Sequence, residues 1–280
     1  MSPALTVLRR LSLTMALVIA AWAWSLQLSI ATTLWFALAS NAWLLLMLLA
    51  AAWLQAGSLR ALGALLLCVA TVGRLFSTLH TAGPATASSR DLLLQVETGP
   101  GVPGFGWLCL GLGALLLMQF VLLAGQRIAR TAARAAVQHW VLVFLRLYVG
   151  TMFVPHFAGH LFAGPEAFSI YRQYFASLQL PAAALLLVLA GVTELLVAAG
   201  LVLGIGTRLA GLVGAGYLLL TLWTGGHLRI GYVWILPDGG YEFGLLWAVL
   251  CGLFVLVGNG ERRPSGPALP PSQSYLHRAV

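Results

Sequence analysis

Residues 146–160, RLYVGTMFVPHFAGH, place one arginine, one proline and two histidines in a segment that is otherwise apolar enough for a lipid bilayer. An ionisable side chain inside a membrane-spanning helix is costly, about 2.5–3.5 kcal/mol for Arg at mid-membrane on insertion scales. Polar groups in such a segment are therefore expected to pair with one another or to form a functional site. Which of the two holds decides whether the chain is a membrane scaffold or a membrane enzyme.

The composition of the whole chain identifies its class. Of 280 residues, 60% are hydrophobic and 8% are charged, whereas an ordinary soluble domain has about 25% charged residues. Such a chain cannot cover a soluble surface with polar groups. Backbone groups in hydrocarbon must be satisfied within their own segment, and the apolar runs lack the alternation typical of strands. We therefore predict an all-α, polytopic integral membrane protein in contact with the lipid bilayer.

About 20 mainly apolar residues are needed for one spanning helix. The sequence offers eight such segments, and each boundary is approximate. They cover residues 11–28, 33–54, 60–80, 105–125, 139–162, 181–203, 208–226 and 242–258.

The charges predict the orientation in the membrane. The formal net charge is +8, and every Lys or Arg position is an arginine. The arginines stand singly between apolar runs, which is not the pattern of a nucleic-acid surface. With the N-terminus inside, the predicted inner segments hold ten of them and the outer loops hold only Arg90, Arg172 and Arg229. This positive-inside bias places both termini in the cytoplasm and the protein in the cell inner (cytoplasmic) membrane.

The basic stretch 127–138 divides the helices into two groups of four. We accordingly expect an N-terminal four-helix membrane region over 1–130, a C-terminal four-helix bundle over 131–260 and a disordered cytoplasmic tail over 261–280. The outer loop 163–180 carries aromatic residues at helical spacing, which predicts an interfacial helix. One echo between the halves, HTAGPA at 80–85 against HLFAGPEA at 160–167, is out of phase with a four-plus-four repeat, and we treat it as coincidence.

Two opposite charges are predicted to lie at similar depth. Arg146 lies roughly 10 Å, and Glu194 roughly 13 Å, from the inner ends of neighbouring antiparallel helices, at 1.5 Å per residue. An Arg–carboxylate pair neutralises both charges and satisfies their hydrogen bonds. We therefore predict a structural ion pair between Arg146 and Glu194, which either locks the two helices together or also supports a site.

His156 and His160 are four residues apart and so share a helix face, beside a kink expected at Pro155. Other polar residues are expected at the same outer level. This secondary polar cluster comprises Arg74, His80, His227 and Asp238, and Glu242 opens the last helix. Histidines with carboxylates can relay protons for a quinone, ligate a metal or anchor helices at the interface. Two histidines at this spacing are a weak metal signal without a third ligand, and we predict no metal site.

Several stretches of the second half resemble the DoxX/DoxD family of membrane proteins. They are FLRLYVGTMFVPHFAGHLFAGPEAFSIYRQYFASLQLP, GVTELLVAAGLVLGIGTRLAG and GGYEFGLLWAVLCGLFVLVGNG, all within about 140–260. The resemblance implies a C-terminal DoxX-like four-helix bundle. One branch of the family is similar to the quinone-reducing part of thiosulfate:quinone oxidoreductase, so the resemblance implies a quinone as cofactor.

Two functions from different classes follow. The first is a redox subunit, in which His156, His160 and Glu242 form the catalytic group that exchanges protons with a quinone, and His156 has the larger role. The chain contains no haem, flavin or iron–sulfur motif, so electrons are expected from a partner redox subunit or a small reductant such as thiosulfate. The second is a non-enzymatic membrane scaffold or assembly subunit of a larger complex.

Overall fold

The computed structural model describes residues 3–29, 32–77, 102, 104–131, 134–231 and 240–258, and within these ranges the chain is helical, without β-strands. The all-α prediction is thus confirmed. In chain order the elements are α1 (Pro3–Ser29), α2 (Leu34–Leu54), α3 (Leu59–Ser77), α4 (Phe105–Thr131), α5 (Arg134–Thr151), α6 (Val154–Phe157), a π-helix (Ala158–Phe162), α7 (Pro165–Ser177), α8 (Ala183–Leu203), α9 (Thr207–Thr224), α10 (His227–Ile230) and α11 (Glu242–Val257).

The helix lengths and surface fit a lipid bilayer. In the described part of the chain six segments are long and apolar enough to span a membrane, namely α1 to α4, the interrupted helix from Arg134 to Phe162, and α8. The remaining two predicted segments form α9 and α11, of 18 and 16 residues. Large apolar side chains such as Leu34, Trp107 and Leu256 are 76–78% exposed on the outside of the helices. This chain is therefore a membrane protein whose outer surface contacts lipid.

The helices form two four-helix bundles side by side. In the first bundle α1, α2, α3 and α4 pack as a closed ring. In the second, α5 packs on α8, α8 on α9 and α9 on α11. The bundles meet where α3 packs against α8 and against the irregular segment 154–162. Along the chain, the first bundle ends with Thr131 of α4 and the second begins with Arg134 of α5.

At one end of the bundles, three arginines lie against glycines that follow a helix. A Cβ added to Gly57 would come 2.8 Å from Nη2 of Arg9, and one added to Gly258 would come 2.9 Å from Nε of Arg208. A Cβ at Gly204 would overlap the guanidinium of Arg146. All three glycines have positive φ, which suits a helix C-terminus. Because the last carbonyls of a helix carry partial negative charge, an arginine beside them is favourable. We call this the arginine end, and the opposite one the histidine end.

These contacts reveal a repeat that the sequence reading missed. The pair Arg9–Gly57 in the first bundle corresponds to the pair Arg146–Gly204 in the second. Arg146 follows Arg9 by 137 residues, which is the offset for α1, and Gly204 follows Gly57 by 147 residues, which is the offset for α2. With the offset of 147, seven of the eight buried residues of α2 fall on buried residues of α8. The matched residues of α2 are Ser40, Trp43, Leu44, Met47, Ala50, Ala51 and Leu54.

The first helices of the two bundles repeat as well. With the offset of 137, five of the eight buried residues of α1 fall on buried residues of the interrupted helix, namely Arg9, Ser12, Ala16, Ala20 and Ala23. Thr14 and Thr151 also correspond, and each hydroxyl donates to a carbonyl four residues earlier, over 3.1 and 2.7 Å. The two bundles are therefore two versions of one buried pattern, at offsets that differ from that of the HTAGPA echo, which is not part of this repeat.

Candidate functional site

The interrupted helix carries the candidate site. Pro155 lacks an N–H and cannot continue the hydrogen bonding of α5, which ends at Thr151. After the single turn of α6, residues Ala158–Phe162 form the π-helix. The kink expected at Pro155 is thus present as a break in the helix. π-helical turns are rare in proteins, and those that occur are often part of a functional site.

His160, within the π-helix, contacts a buried carboxylate. Its Nδ1 lies 2.8 Å from Oε2 of Glu194, and their side chains are 9% and 3% exposed. The hydroxyl of Tyr217 on α9 donates a short hydrogen bond to the other oxygen, Oε1. Three elements, the π-helix, α8 and α9, therefore bring together one network of His160, Glu194 and Tyr217, which we call the triad.

Two glycines make this approach possible. A Cβ at Gly191, one turn before Glu194 on α8, would lie 2.6 Å from Cγ of Leu161 and 3.0 Å from Cβ of His160. A Cβ at Gly159 would lie 2.6 Å from the hydroxyl oxygen of Tyr171. Real Cβ atoms do not come so close to other atoms, so the packing of the π-helix against α7 and α8 requires glycine at both positions.

Aromatic rings enclose the imidazole of His160. The ring of Tyr171 stands perpendicular to it at a centroid distance of 4.7 Å, and that of Phe175 lies at 6.1 Å. Both residues belong to α7, which confirms the helix predicted over 163–180. The imidazole of His156 lies 6.4 Å from that of His160 and 5.6 Å from the indole of Trp247. The two histidines are thus neighbours, as their spacing predicts.

The triad can hold and move a proton. An ionised carboxylate only accepts hydrogen bonds, so Glu194 in that form takes one hydrogen from Tyr217 and one from Nδ1 of His160. If the imidazole starts as the doubly protonated imidazolium, moving the Nδ1 hydrogen to the carboxylate gives a neutral imidazole, which keeps its Nε2 hydrogen, and a neutral carboxylic acid. In a low dielectric such a bond is electrostatically stronger than in water. The arrangement therefore suits proton exchange between Glu194 and the imidazole.

Comparison with protein-family models finds one match in this part of the chain. Residues 141–227 match the DoxX family. The resemblance noted in the sequence is thereby confirmed for the second half of the chain. Comparisons with curated proteins and with solved structures found no match.

The DoxX match contains the whole triad. It runs from α5 to the start of α10 and includes His156, His160, Glu194 and Tyr217. It leaves out the first bundle and α11, to which Glu242 and Trp247 belong. The candidate site therefore lies mainly within the DoxX region, and α11 adds the ring that lies against His156.

The predicted ion pair between Arg146 and Glu194 is not formed. The carboxylate of Glu194 is bound by His160 and Tyr217, whereas the guanidinium of Arg146 lies against Gly204. Gly204 follows Glu194 by ten residues, roughly 15 Å along the same helix. One turn after Arg146, a Cβ at Gly150 would lie 2.8 Å from Cγ2 of Val202 and 3.0 Å from Cβ of Leu201, so Arg146 lies level with the C-terminal end of α8 and not with Glu194.

The other predicted site residues are distributed as follows. Arg74 reaches the irregular segment, where its Nε donates to the carbonyl of Pro155 over 3.4 Å. Glu242 is half-buried at the first residue of α11, and His227 is half-buried at the first residue of α10. His80 and Asp238, like the tail 261–280, lie outside the described residues.

Tyr217 is the site residue that sequence reasoning missed. It lies in an apolar run of α9, three residues after Gly214. A Cβ at Gly214 would lie 3.0 Å from Cγ1 of Val197 on α8, so this glycine allows the two helices to approach. The sequence signal for this residue is a polar side chain, Tyr217, one turn after a small residue, Gly214, because small residues mark where spanning helices pack closely.

The first bundle lacks a triad. With the offsets of 137 and 147, the positions of His160 and Glu194 correspond to Ala23 and Met47. Ala23 and Met47 are fully buried. The same buried pattern thus exists in an apolar and a polar version within one chain.

Groups of three or more His, Cys, Asp or Glu side chains that could hold a metal ion were not found among the described residues. The cysteines Cys68, Cys109 and Cys251 are buried free thiols on different helices.

Proposed function

We propose that this chain is a quinone-linked redox subunit of the membrane and that the triad is its proton-exchanging site. The observation that carries the proposal is the buried carboxylate of Glu194, bound by His160 and Tyr217 inside a lipid-exposed bundle. Ionisable groups inside membrane proteins are expensive and mark proton and substrate pathways. A redox function gives this arrangement a purpose that helix packing does not.

The repeat within the chain supports a function beyond packing. The first bundle has Ala23 and Met47 at the positions of His160 and Glu194 and keeps the same buried pattern. This architecture therefore does not need a polar triad to form. A hydrogen-bonded ionic pair in a core often contributes less stability than apolar residues of similar volume, which argues against a purely structural origin of the triad.

The residues at the site fit a quinone. Quinone carbonyl oxygens accept hydrogen bonds, and imidazole and phenol groups donate them. The rings of Tyr171, Phe175 and Trp247 provide flat apolar surfaces beside the two histidines, and aromatic rings pack well on one another. A bound quinone supplies the redox chemistry, since it takes up two electrons and two protons to become the quinol.

The chain's own residues have distinct tasks in this proposal. Glu194 orients the imidazole of His160 through Nδ1 and stabilises the imidazolium form. His160 delivers the two protons one at a time, because an imidazole can release a proton and take one up again, and it is reprotonated from the outer aqueous side between the two transfers. Tyr217 holds the second carboxylate oxygen and keeps Glu194 in place. His156, beside His160 and Trp247, lines the approach to the site.

The electrons come from outside the chain in this proposal, either from a partner redox subunit or from a small reductant such as thiosulfate. The chain lies in the inner (cytoplasmic) membrane, with the arginine end and both termini in the cytoplasm. The positive-inside rule supports this orientation, because Arg9, Arg146 and Arg208 all lie at that end. The triad then belongs to the outer half of the membrane.

The test compares purified protein from mild detergent. Bound quinone and the rate of quinone reduction by thiosulfate are measured for wild type, Glu194→Gln and Tyr217→Phe, with His139→Gln as the control. His139 is on α5 near the arginine end, away from the triad. We expect the first two variants to lose turnover by roughly 10²-fold or more, and the control to match wild type.

Equal turnover in Glu194→Gln and wild type, at equal melting temperature, contradicts the proposal. A wild type that contains no quinone, reduces none and co-purifies with a partner protein supports the scaffold function instead.

A further inference from the structure

We infer that the first bundle positions His160, and that Trp35 and Arg74 are the positioning residues through which it does so. The inference rests on the proposed function in that the positioned group is the proposed proton donor. It assigns a task to the part of the chain that lies outside the DoxX match.

Two side chains of the first bundle donate hydrogen bonds to the irregular segment of the second. Nε1 of Trp35 on α2 donates to the carbonyl of Leu161 over 3.0 Å, and Nε of Arg74 on α3 donates to the carbonyl of Pro155 over 3.4 Å. Leu161 is the residue after His160, and Pro155 precedes the π-helix by three residues. The donors thus hold the two ends of the short segment that carries the histidine.

An irregular helix inside a membrane needs such partners. Where an α-helix breaks or ends, backbone carbonyls lose their partners four residues ahead. No water is present in the bilayer core to satisfy them, and each unsatisfied group is costly there. Side-chain donors from a neighbouring bundle are therefore a direct way to stabilise the segment 155–162 in one conformation.

Aromatic packing from the same helix adds to the hold. The indole of Trp43 on α2 stacks on Phe157 at a centroid distance of 6.0 Å and meets Phe162 edge-on at 5.8 Å. Phe157 comes immediately before the π-helix and Phe162 is its last residue. The π-helix is thus bracketed by the first bundle on one side and by Glu194 of α8 on the other.

The consequence concerns the distance between Nδ1 of His160 and the carboxylate of Glu194. Glu194 is a buried residue on a regular helix, so the position of the π-helix sets this distance. A displacement of about 1 Å in a catalytic arrangement can lower a rate by roughly 10²-fold. Losing a donor from the first bundle should therefore weaken the bond between His160 and Glu194 although neither residue is altered.

The chain offers a matched control for Trp35. Trp24 on α1 also donates from its indole, to Oδ1 of Asn41 over 2.8 Å, and this bond lies within the first bundle. The two tryptophans are similarly exposed, at 43% for Trp24 and 56% for Trp35. Trp35→Phe and Trp24→Phe each remove one indole donor, but only the first touches the π-helix.

The experiment uses the full-length protein in lipid nanodiscs with ¹⁵N-labelled histidine. The signal of Nδ1 of His160, assigned by its loss in His160→Gln, reports the bond to Glu194 without any need for turnover. We expect Trp35→Phe and Arg74→Met each to shift this signal and to lower quinone reduction by roughly 10-fold or more. Trp24→Phe should leave both unchanged.

An unchanged signal in both Trp35→Phe and Arg74→Met overturns the inference, as does an equal shift in Trp24→Phe, which would mean general loosening of the fold. If the wild type reduces no quinone, the proposed function fails, whereas the ¹⁵N signal still decides whether the first bundle positions His160.

Discussion

Glu194 accepts its hydrogen bonds from Tyr217 and His160, and Nδ1 of His160 lies 2.8 Å from its carboxylate, while Arg146 lies against Gly204 near the far end of the same helix. The two buried ionisable groups, Glu194 and Arg146, therefore have different partners although they lie on neighbouring helices. Glu194 is held by the triad, and Arg146 lies at the C-terminal end of α8.

The first prediction concerns coupling between these residues. His160→Ala and Glu194→Ala should be non-additive, with an interaction free energy of about 0.5–3 kcal/mol, because each change removes the other's partner. Arg146→Ala and Glu194→Ala should be additive, since the two side chains do not meet. Thermal unfolding of the single and double variants in detergent measures both cycles. A coupled Arg146–Glu194 cycle would restore the ion pair that the sequence predicts.

The second prediction tests the contact at the arginine end. Gly204 and Gly206 both have positive φ, at +69° and +59°, but only at Gly204 would a Cβ overlap a side chain, that of Arg146. Gly206→Ala should cost about 1–2 kcal/mol of backbone strain. Gly204→Ala should cost about 1–3 kcal/mol more through overpacking. Equal losses of melting temperature in the two variants would show that Arg146 does not lie against Gly204 in the membrane.

The helices were largely predictable from the sequence, because the length of an apolar run determines a span. The segment expected over 33–54 is Leu34–Leu54, and that over 181–203 is Ala183–Leu203. The break at Pro155 was predictable for a local reason, the missing N–H. These features depend on residues close together in the chain.

The partners of Glu194 were not predictable, because they depend on geometry between helices. Measuring the depth of Arg146 from the start of its own helix failed, because α5 begins at Arg134, twelve residues earlier, and Arg146 lies beside Gly204 at the end of α8. The face of His160 was calculated with 3.6 residues per turn, whereas it lies in a π-helix with a different period. Tyr217 lies in a mainly apolar run of α9, and its contact with Glu194 depends on how closely α8 and α9 pack. The repeat of the two bundles became visible only through the two arginine–glycine contacts.

The third prediction tests the close packing behind His160. A Cβ at Gly191 would lie 2.6 Å from Cγ of Leu161 and 3.0 Å from Cβ of His160. A Cβ at Gly216 would meet no described atom within 4 Å. Gly191→Ala should cost about 1–3 kcal/mol and displace the π-helix, lowering quinone reduction. Gly216→Ala should be neutral or stabilise the helix by about 0.5–1 kcal/mol. Full turnover in Gly191→Ala would show that quinone reduction does not depend on the position of the π-helix.

The fourth prediction concerns orientation. The native cysteines are buried, so an aqueous maleimide should react mainly with introduced thiols. Gln95→Cys should be labelled from outside the cell and Thr131→Cys only after the inner face is opened, since the arginine asymmetry places the arginine end inside. Labelling of both positions from the same side would contradict the eight-helix orientation.

The last prediction separates the two histidines. The sequence analysis gave His156 the larger role, whereas the structure places His160 in the bond to Glu194 and His156 beside Trp247. General acid–base catalysis contributes roughly 10²–10⁴-fold to a rate. His160→Gln should therefore lower quinone reduction by roughly that factor while bound quinone falls less. His156→Gln should lower it less and should mainly reduce bound quinone, because its ring lines the approach.

The comparison requires both variants at the same melting temperature and the same level of insertion. Quinone content and initial rates are then measured on the same preparations. If His156→Gln abolishes turnover and His160→Gln does not, the proton donor is His156. The triad would then have a structural task, because His160, which lies against Oε2 of Glu194, would be dispensable for the reaction.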